Sequence, residues 1–188
     1  MNTDVTTLRA AQVRKLALDE AVILVTPLGL SELARQAEAY DAEAKDLKKK
    51  LGESAAEYPD LRENATFDFL SAQLEHHLPK LQADLRVQMM KAQQYHEQPA
   101  AGKVLFGTIC ELENQAGQVL GYWLAGPVEA SANLECDGIS AVSYRSPIGR
   151  AIWGVKVGDT VEVRLPSRGN ARVVNYRIVS SNTPVYTA

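Results

Sequence analysis

The feature that most constrains this chain is a pair of apolar stripes at helical spacing. Leu33, Ala37, Tyr40, Ala44, Leu47, Leu51 and Tyr58 form the first, with polar residues between them, and Phe67, Leu70, Leu74, Leu78, Leu81, Leu85 and Met89 form the second. Each series marks one face of a helix. Thr26 followed by Pro27 signals a helix start, because the hydroxyl can accept from an orphan first-turn amide and proline suits that turn. Between the stripes stands Tyr58-Pro59-Asp60-Leu61, and proline disfavours carrying a helix through that point. Two long helices with narrow apolar faces and a tight turn between them bury those faces against each other, which predicts an antiparallel coiled-coil hairpin. Arms of roughly 30 residues, at about 1.5 Å per residue, would project on the order of 45 Å. Pro79 falls inside the second arm and is expected to kink it or break its ladder locally.

After the small-residue stretch Gln98-Pro99-Ala100-Ala101-Gly102 the pattern changes to short β-rich runs at 104–112, 119–124, 139–144, 160–165 and 171–179. Segments 114–117 and 167–170 carry the Gly and Asn of hairpin turns, and 147–153 reads as a short helix. The expected class is therefore α+β in two domains. A coiled-coil hairpin over 25–98 precedes an antiparallel sheet with a short helix over 103–181, and 1–24 is an N-terminal extension with no assigned role.

A net charge of -3 lacks the basic excess that tight, autonomous binding to a DNA duplex requires. A protein partner, or a local basic patch, fits better. Cys110 and Cys136 are too few and too far apart for a disulfide framework or a Cys-rich zinc site. The longest apolar run of the N-terminal region, 21–25, is too short for a spanning helix or a signal core, so the expectation is a cytoplasmic protein with no membrane partner. His76 and His77 are adjacent and point apart on a helix, which makes a metal site from the pair improbable. No Gly-rich phosphate loop, nucleophile elbow or zinc-protease pair is present, so nothing supports an independent enzyme.

Two stretches carry a resemblance. Asp60-Leu61-Arg62-Glu63-Asn64-Ala65 lies at the hairpin turn, and Ser146-Pro147-Ile148-Gly149-Arg150-Ala151, followed by Val157-Gly158-Asp159-Thr160-Val161-Glu162-Val163, lies in the β-rich half. In this order and on these element types they resemble the Gre family (GreA/GreB-type) of bacterial transcript-cleavage factors. The resemblance spans about 25–180 of this chain. It implies a C-terminal domain of FKBP-like fold that docks at the secondary channel of bacterial RNA polymerase while the coiled coil reaches toward the active centre. It further implies that the tip carboxylates Asp60 and Glu63 assist the polymerase's magnesium, so that the polymerase hydrolyses its own backtracked RNA. Asn64 and Arg62 would support the tip, and Ser146, Pro147 and Ile148 would dock on the polymerase. Such a factor holds no metal and no cofactor of its own and shares Mg2+ with the polymerase active site. Its partners are the polymerase and the RNA 3′ end, and a monomer is expected. The residue types suit the chemistry: magnesium prefers hard oxygen ligands, a two-metal site stabilises the attacking and leaving oxygens, and carboxylates three apart at a helix start can converge.

Plainer readings stand beside these. Asp-x-x-Glu at a helix start is close to a capping box, with Asp60 as the cap. Lys45, Lys48, Lys49 and Lys50 can steer an RNA end by charge or simply form a solvated helix face. Ser146 and Pro147 can cap the short helix. The chain also departs from the family pattern at Pro59, at Pro79 and at Thr66-Phe67-Asp68-Phe69. These departures make a Gre-like paralogue that occupies the channel without stimulating cleavage the main alternative. More distant alternatives are a coiled-coil adaptor and an FKBP-type peptidyl-prolyl isomerase or chaperone, whose pocket would draw on Phe106, Tyr122, Trp123, Tyr144, Trp153 and Tyr176. Fold alone does not support the isomerase.

Overall fold

The computed structural model describes residues 9–57, 64–97, 102–166 and 172–184. The chain runs through α1 (Ala10–Leu18), β1 (Ile23–Val25) and α2 (Pro27–Glu57), then α3 (Ala65–Ala72), a π-helical turn (Gln73–His77) and α4 (Leu78–Lys91). It continues through β2 (Ala92–Gln94), β3 (Ile109–Asn114), β4 (Val119–Ala125), α5 (Pro127–Ser131), β5 (Glu135–Cys136), β6 (Ile139–Ser143), α6 (Pro147–Ile152), β7 (Thr160–Leu165) and β8 (Arg172–Asn182). Leu33–Met90 forms one compact unit, and the described residues up to Glu32 together with those from Lys91 onward form the other.

This division differs from the sequence division at 24/25 and 98/103. The reason is burial: Val13 and Ala17 of α1, with Val22 and Leu24, belong to the core of the β-rich unit. β1 also pairs in parallel with β2, Ile23 opposite Ala92 and Val25 opposite Gln94. The described part of the N-terminal extension, residues 9–24, is thus an integral part of the sheet-bearing unit.

In the helical unit the predicted stripes are mostly the less exposed positions. Leu33, Leu70, Leu78 and Leu85 are buried, while Ala37, Tyr40, Ala44, Leu47, Leu51, Phe67, Leu74 and Leu81 are half-buried. Met89, where the second stripe ends, is exposed, and Tyr58 lies outside the described residues. The arms run antiparallel, since Asp41 Oδ1 accepts from Gln82 (3.4 Å) and Ser54 bonds to Asn64. Pro79 breaks the ladder without ending the arm. In an α-helix its ring would meet the carbonyl four residues back; here the preceding turn is π-helical, with the Leu78 amide donating to the Gln73 carbonyl. This turn also serves the stripe. Leu70 and Leu78 are eight residues apart, which in an α-helix is about 80° beyond two full turns, and a wider turn between them takes up that drift.

The β-rich unit holds a six-stranded sheet in the order β5-β6-β4-β3-β8-β7. The antiparallel expectation needs one correction: β4 pairs with β6 in parallel, Trp123 opposite Ala141. A parallel neighbour requires a crossover, and α5 with β5 supplies it; neither element is among those expected from the sequence. The run 104–112 is strand only from Ile109; Val104, Leu105 and Phe106 are buried in the preceding loop. The turn after β3 forms as expected, with Asn114 Oδ1 accepting from the Ala116 and Gln118 amides and Gly117 at φ 75°. The predicted turn at 167–170 lies outside the described residues. Phe106, Tyr144 and Trp153 pack against one another with centroids 5.3 to 6.4 Å apart, so they form core rather than line an open pocket. Cys110 and Cys136 are free and buried, and burial pushes the Cys110 thiol up to about 12, which keeps it protonated and inert. No helix among the described residues is long and apolar enough to cross a membrane.

Candidate functional site

The segment between the arms carries the acidic motif. Asp60, Arg62 and Glu63, with Pro59, lie outside the described residues; Asn64 lies within them. α3 begins at Ala65 and its N-cap is Asn64, whose Oδ1 accepts from the Phe67 amide at 3.0 Å. The capping-box reading of Asp60 and Glu63 lies outside the described residues, and the cap of α3 is Asn64. Asn64 also reaches the other arm: its Nδ2 donates to the Ser54 carbonyl (3.2 Å) and to Ser54 Oγ (3.1 Å). Both side chains are buried. One amide thus satisfies an orphan donor of α3 and an acceptor near the end of α2, and it joins the two ends of the acidic segment. Ser54 is not among the residues singled out from the sequence, although a small hydroxyl on the buried face near a turn is a recognisable signal.

Lys45, Lys48, Lys49 and Lys50 are all exposed on α2. Lys50 lies 2.7 Å from Asp46, whose hydrogen bond and charge raise the ammonium above its ordinary pKa. Lys49 lies 3.8 Å from Glu53. Such exposed pairs contribute little to stability, but they offset two of the four charges, so the positive field of this band is weaker than the sequence count implies.

In the β-rich unit Ser146 caps α6, its Oγ accepting from the Gly149 amide at 3.0 Å, and Pro147 occupies the first turn. The three residues assigned to docking face differently. Pro147 is exposed, Ser146 is half-buried, and Ile148 packs against the core. A partner approaching here would meet Pro147 and the exposed Arg150, a residue of the same motif to which the sequence alone gives no role.

The root of α2 is built around Glu129, which is fully buried. Its Oε1 accepts from the Thr26 amide (2.6 Å) and the Thr26 hydroxyl (2.8 Å), and that hydroxyl accepts in turn from the Gly29 amide at 3.2 Å. The predicted cap at Thr26 is therefore present and is itself held by a carboxylate. A Cβ at Gly29 would overlap that carboxylate, so a larger residue there would have to displace it. Burial raises the Glu129 pKa, opposed by the hydrogen bonds from Thr26. Nothing in the local sequence marks Glu129 as buried, because its partner is 103 residues away.

Residues 98–182 match the family model described as "Transcription elongation factor, GreA/GreB, C-term". The chain is 31% identical over 116 residues to the transcription elongation factor GreA of Novosphingobium aromaticivorans, covering 61% of this chain and 70% of that one. It is 32% identical over 139 residues to GreA of Legionella pneumophila, covering 67% and 74%. Among solved structures, Gfh1 of Thermus aquaticus aligns with a TM-score of 0.37 at 23% identity, over 85% of this chain and 97% of that one.

Proposed function

The chain belongs to the GreA/GreB family of transcription elongation factors, and from that membership we propose that it binds RNA polymerase through the secondary channel and stimulates cleavage of backtracked RNA. The observation that carries this reading is the Ser54–Asn64 latch. It brings together residues on either side of the short segment that bears Asp60 and Glu63. Holding the two arms together beside that segment favours delivering both carboxylates as a unit.

In this proposal Asp60 and Glu63 lend hard oxygen ligands to a magnesium that the polymerase already holds, which suits a hydrolysis with two metals. The chemistry remains the polymerase's own, and its place is the cytoplasm. Arg62 adds a cation beside the tip for the RNA backbone, and Lys45 and Lys48 draw the RNA 3′ end by charge. Pro147, on the exposed side of α6, contacts the polymerase while Ser146 shapes the turn that presents it.

The test is RNA cleavage in a stalled, backtracked elongation complex with magnesium, comparing the unaltered chain with Asp60→Asn and Glu63→Gln. Stimulation by the former, and loss of at least about 100-fold in rate in the variants with polymerase binding retained, is the expected result. Binding without stimulation by the unaltered chain would replace this reading with that of a paralogue which occupies the channel.

A further inference from the structure

α1 and α6 are tied together by two arginines in a reciprocal arrangement. From α1, Arg14 donates to the Arg150 carbonyl at 3.3 Å, and its guanidinium lies 5.3 Å from the centroid of the Trp153 ring. Arg150 is in the last turn of α6, where carbonyls lack intrahelical donors and a cation is favoured by the helix dipole. In the other direction Arg145, immediately before the α6 cap, donates from Nε to the Ala17 carbonyl at 3.2 Å and from an Nη to the Val22 carbonyl at 3.0 Å. Ala17 is likewise in the last turn of its helix. Arg145 also lies over the Tyr144 ring, 5.6 Å from its centroid, and 3.9 Å from the Glu20 carboxylate. Each helix therefore has a last-turn carbonyl that accepts from an arginine of the other's neighbourhood, in α1 beside the backbone bonds from Glu20 to Ala17 and from Ala21 to Leu16.

The packing beneath is consistent with a built joint. Val13 and Ala17 are fully buried in the same core as Ile152, Trp153 and Tyr144. Gly154 stands at φ 83°, where a Cβ would come within 3.1 Å of the Arg14 guanidinium. Lysine would not reproduce the joint, because its single ammonium cannot span two carbonyls as the Arg145 fork does.

α6 carries Pro147 and Arg150 on its exposed side, and residues 9–22 lie outside the matched segment 98–182. We infer that α1 is a positioning element for polymerase docking: Arg14 and Arg145 lock α1 to α6 and so hold the α6 face in the orientation that binds RNA polymerase. This rests on the docking reading of α6 given above.

The experiment measures, for the full chain, the factor concentration giving half-maximal binding to RNA polymerase and the cleavage rate at saturation, with Arg14→Ala, Arg14→Lys, Arg145→Met and Pro147→Asp. Arg14→Ala is expected to raise the half-saturating concentration about fivefold, the effect of losing one modest hydrogen bond, and Arg145→Met, which loses two, by at least as much. Saturating cleavage should be unchanged and Arg14→Lys should fall between. Unchanged binding in both arginine variants, with Pro147→Asp weakened, overturns the role of α1 and leaves the docking reading standing. A fall in saturating cleavage to the same extent as in binding, together with a lower melting temperature, would also overturn it, since that marks general loss of fold. If Pro147→Asp binds as well as the unaltered chain, the docking reading fails and the inference falls with it.

Discussion

Glu129 is an acid placed where only its hydrogen bonds make it tolerable. Its Oε1 receives both Thr26 donors, while its Oε2 makes no hydrogen bond among the described residues, although the Gly126 and Glu129 amides are near enough to favour the charge. Burial dominates and raises its pKa above the ordinary 4.5. The folded state therefore holds the proton more tightly than the unfolded one, and the stability this adds is fully present below pH 4.5 and lost as pH rises through the raised folded value. Glu129→Gln keeps the Oε1 acceptor and removes the charge. Its urea midpoint is expected to decline less than that of the unaltered chain across that window, and superimposable pH profiles for the two would contradict the assignment. Asn64 shows the same limit of local reading from the other side. Its place beside the acidic motif is legible in the sequence, but the partner that makes it a latch, Ser54, is on the other arm.

At the scale of the element, the second arm shows how a helix accommodates a proline. Pro in an α-helix interior costs about 3 kcal/mol relative to Ala. Here the π-helical turn at Gln73–His77 has already moved the ladder off its α register before Pro79. Pro79→Ala is accordingly expected to stabilise the helical unit by less than about 1 kcal/mol, well below the full penalty. A gain near the full value in thermal or urea unfolding would mean that the π turn does not relieve the proline. The stripe Leu70, Leu74, Leu78 announces the turn in part, since two successive intervals of four drift off an α-helical face. The sequence alone leaves open whether such drift is met by bending, by breaking or by a π turn.

For the whole molecule, the main consequence is that chain order and unit membership do not coincide. The sheet-bearing unit is assembled from both sides of the hairpin in sequence: α1 and β1 come before it, and everything from β2 onward comes after. Removing residues 1–19 uncovers the core around Val13 and Ala17 and deletes Arg14 together with an acceptor of Arg145. Burial of a valine and two hydrogen bonds to charged groups together suggest a loss of about 5–9 kcal/mol, a large share of a typical domain's stability. The expected observation is a clearly lower urea midpoint for the shortened chain. An unchanged midpoint would show that α1 is an appendage.

Local periodicity and short-range chemistry are the part of this protein that the sequence by itself determined. The two helical stripes, the cap at Thr26, the turn at Asn114–Gly117, the short capped helix after Ser146 and the α+β class all depend on residues within a few positions of one another. Only the tertiary structure decided which surfaces close over which. It placed α1 over α6, paired β1 with β2, inserted α5 and β5 so that β6 lies parallel to β4, and buried Glu129 against Thr26. The physical reason is that burial and capping are satisfied by whatever group arrives in space. A carbonyl at the end of α6 needs a donor, and nothing in its own segment states that the donor is Arg14, 136 residues earlier.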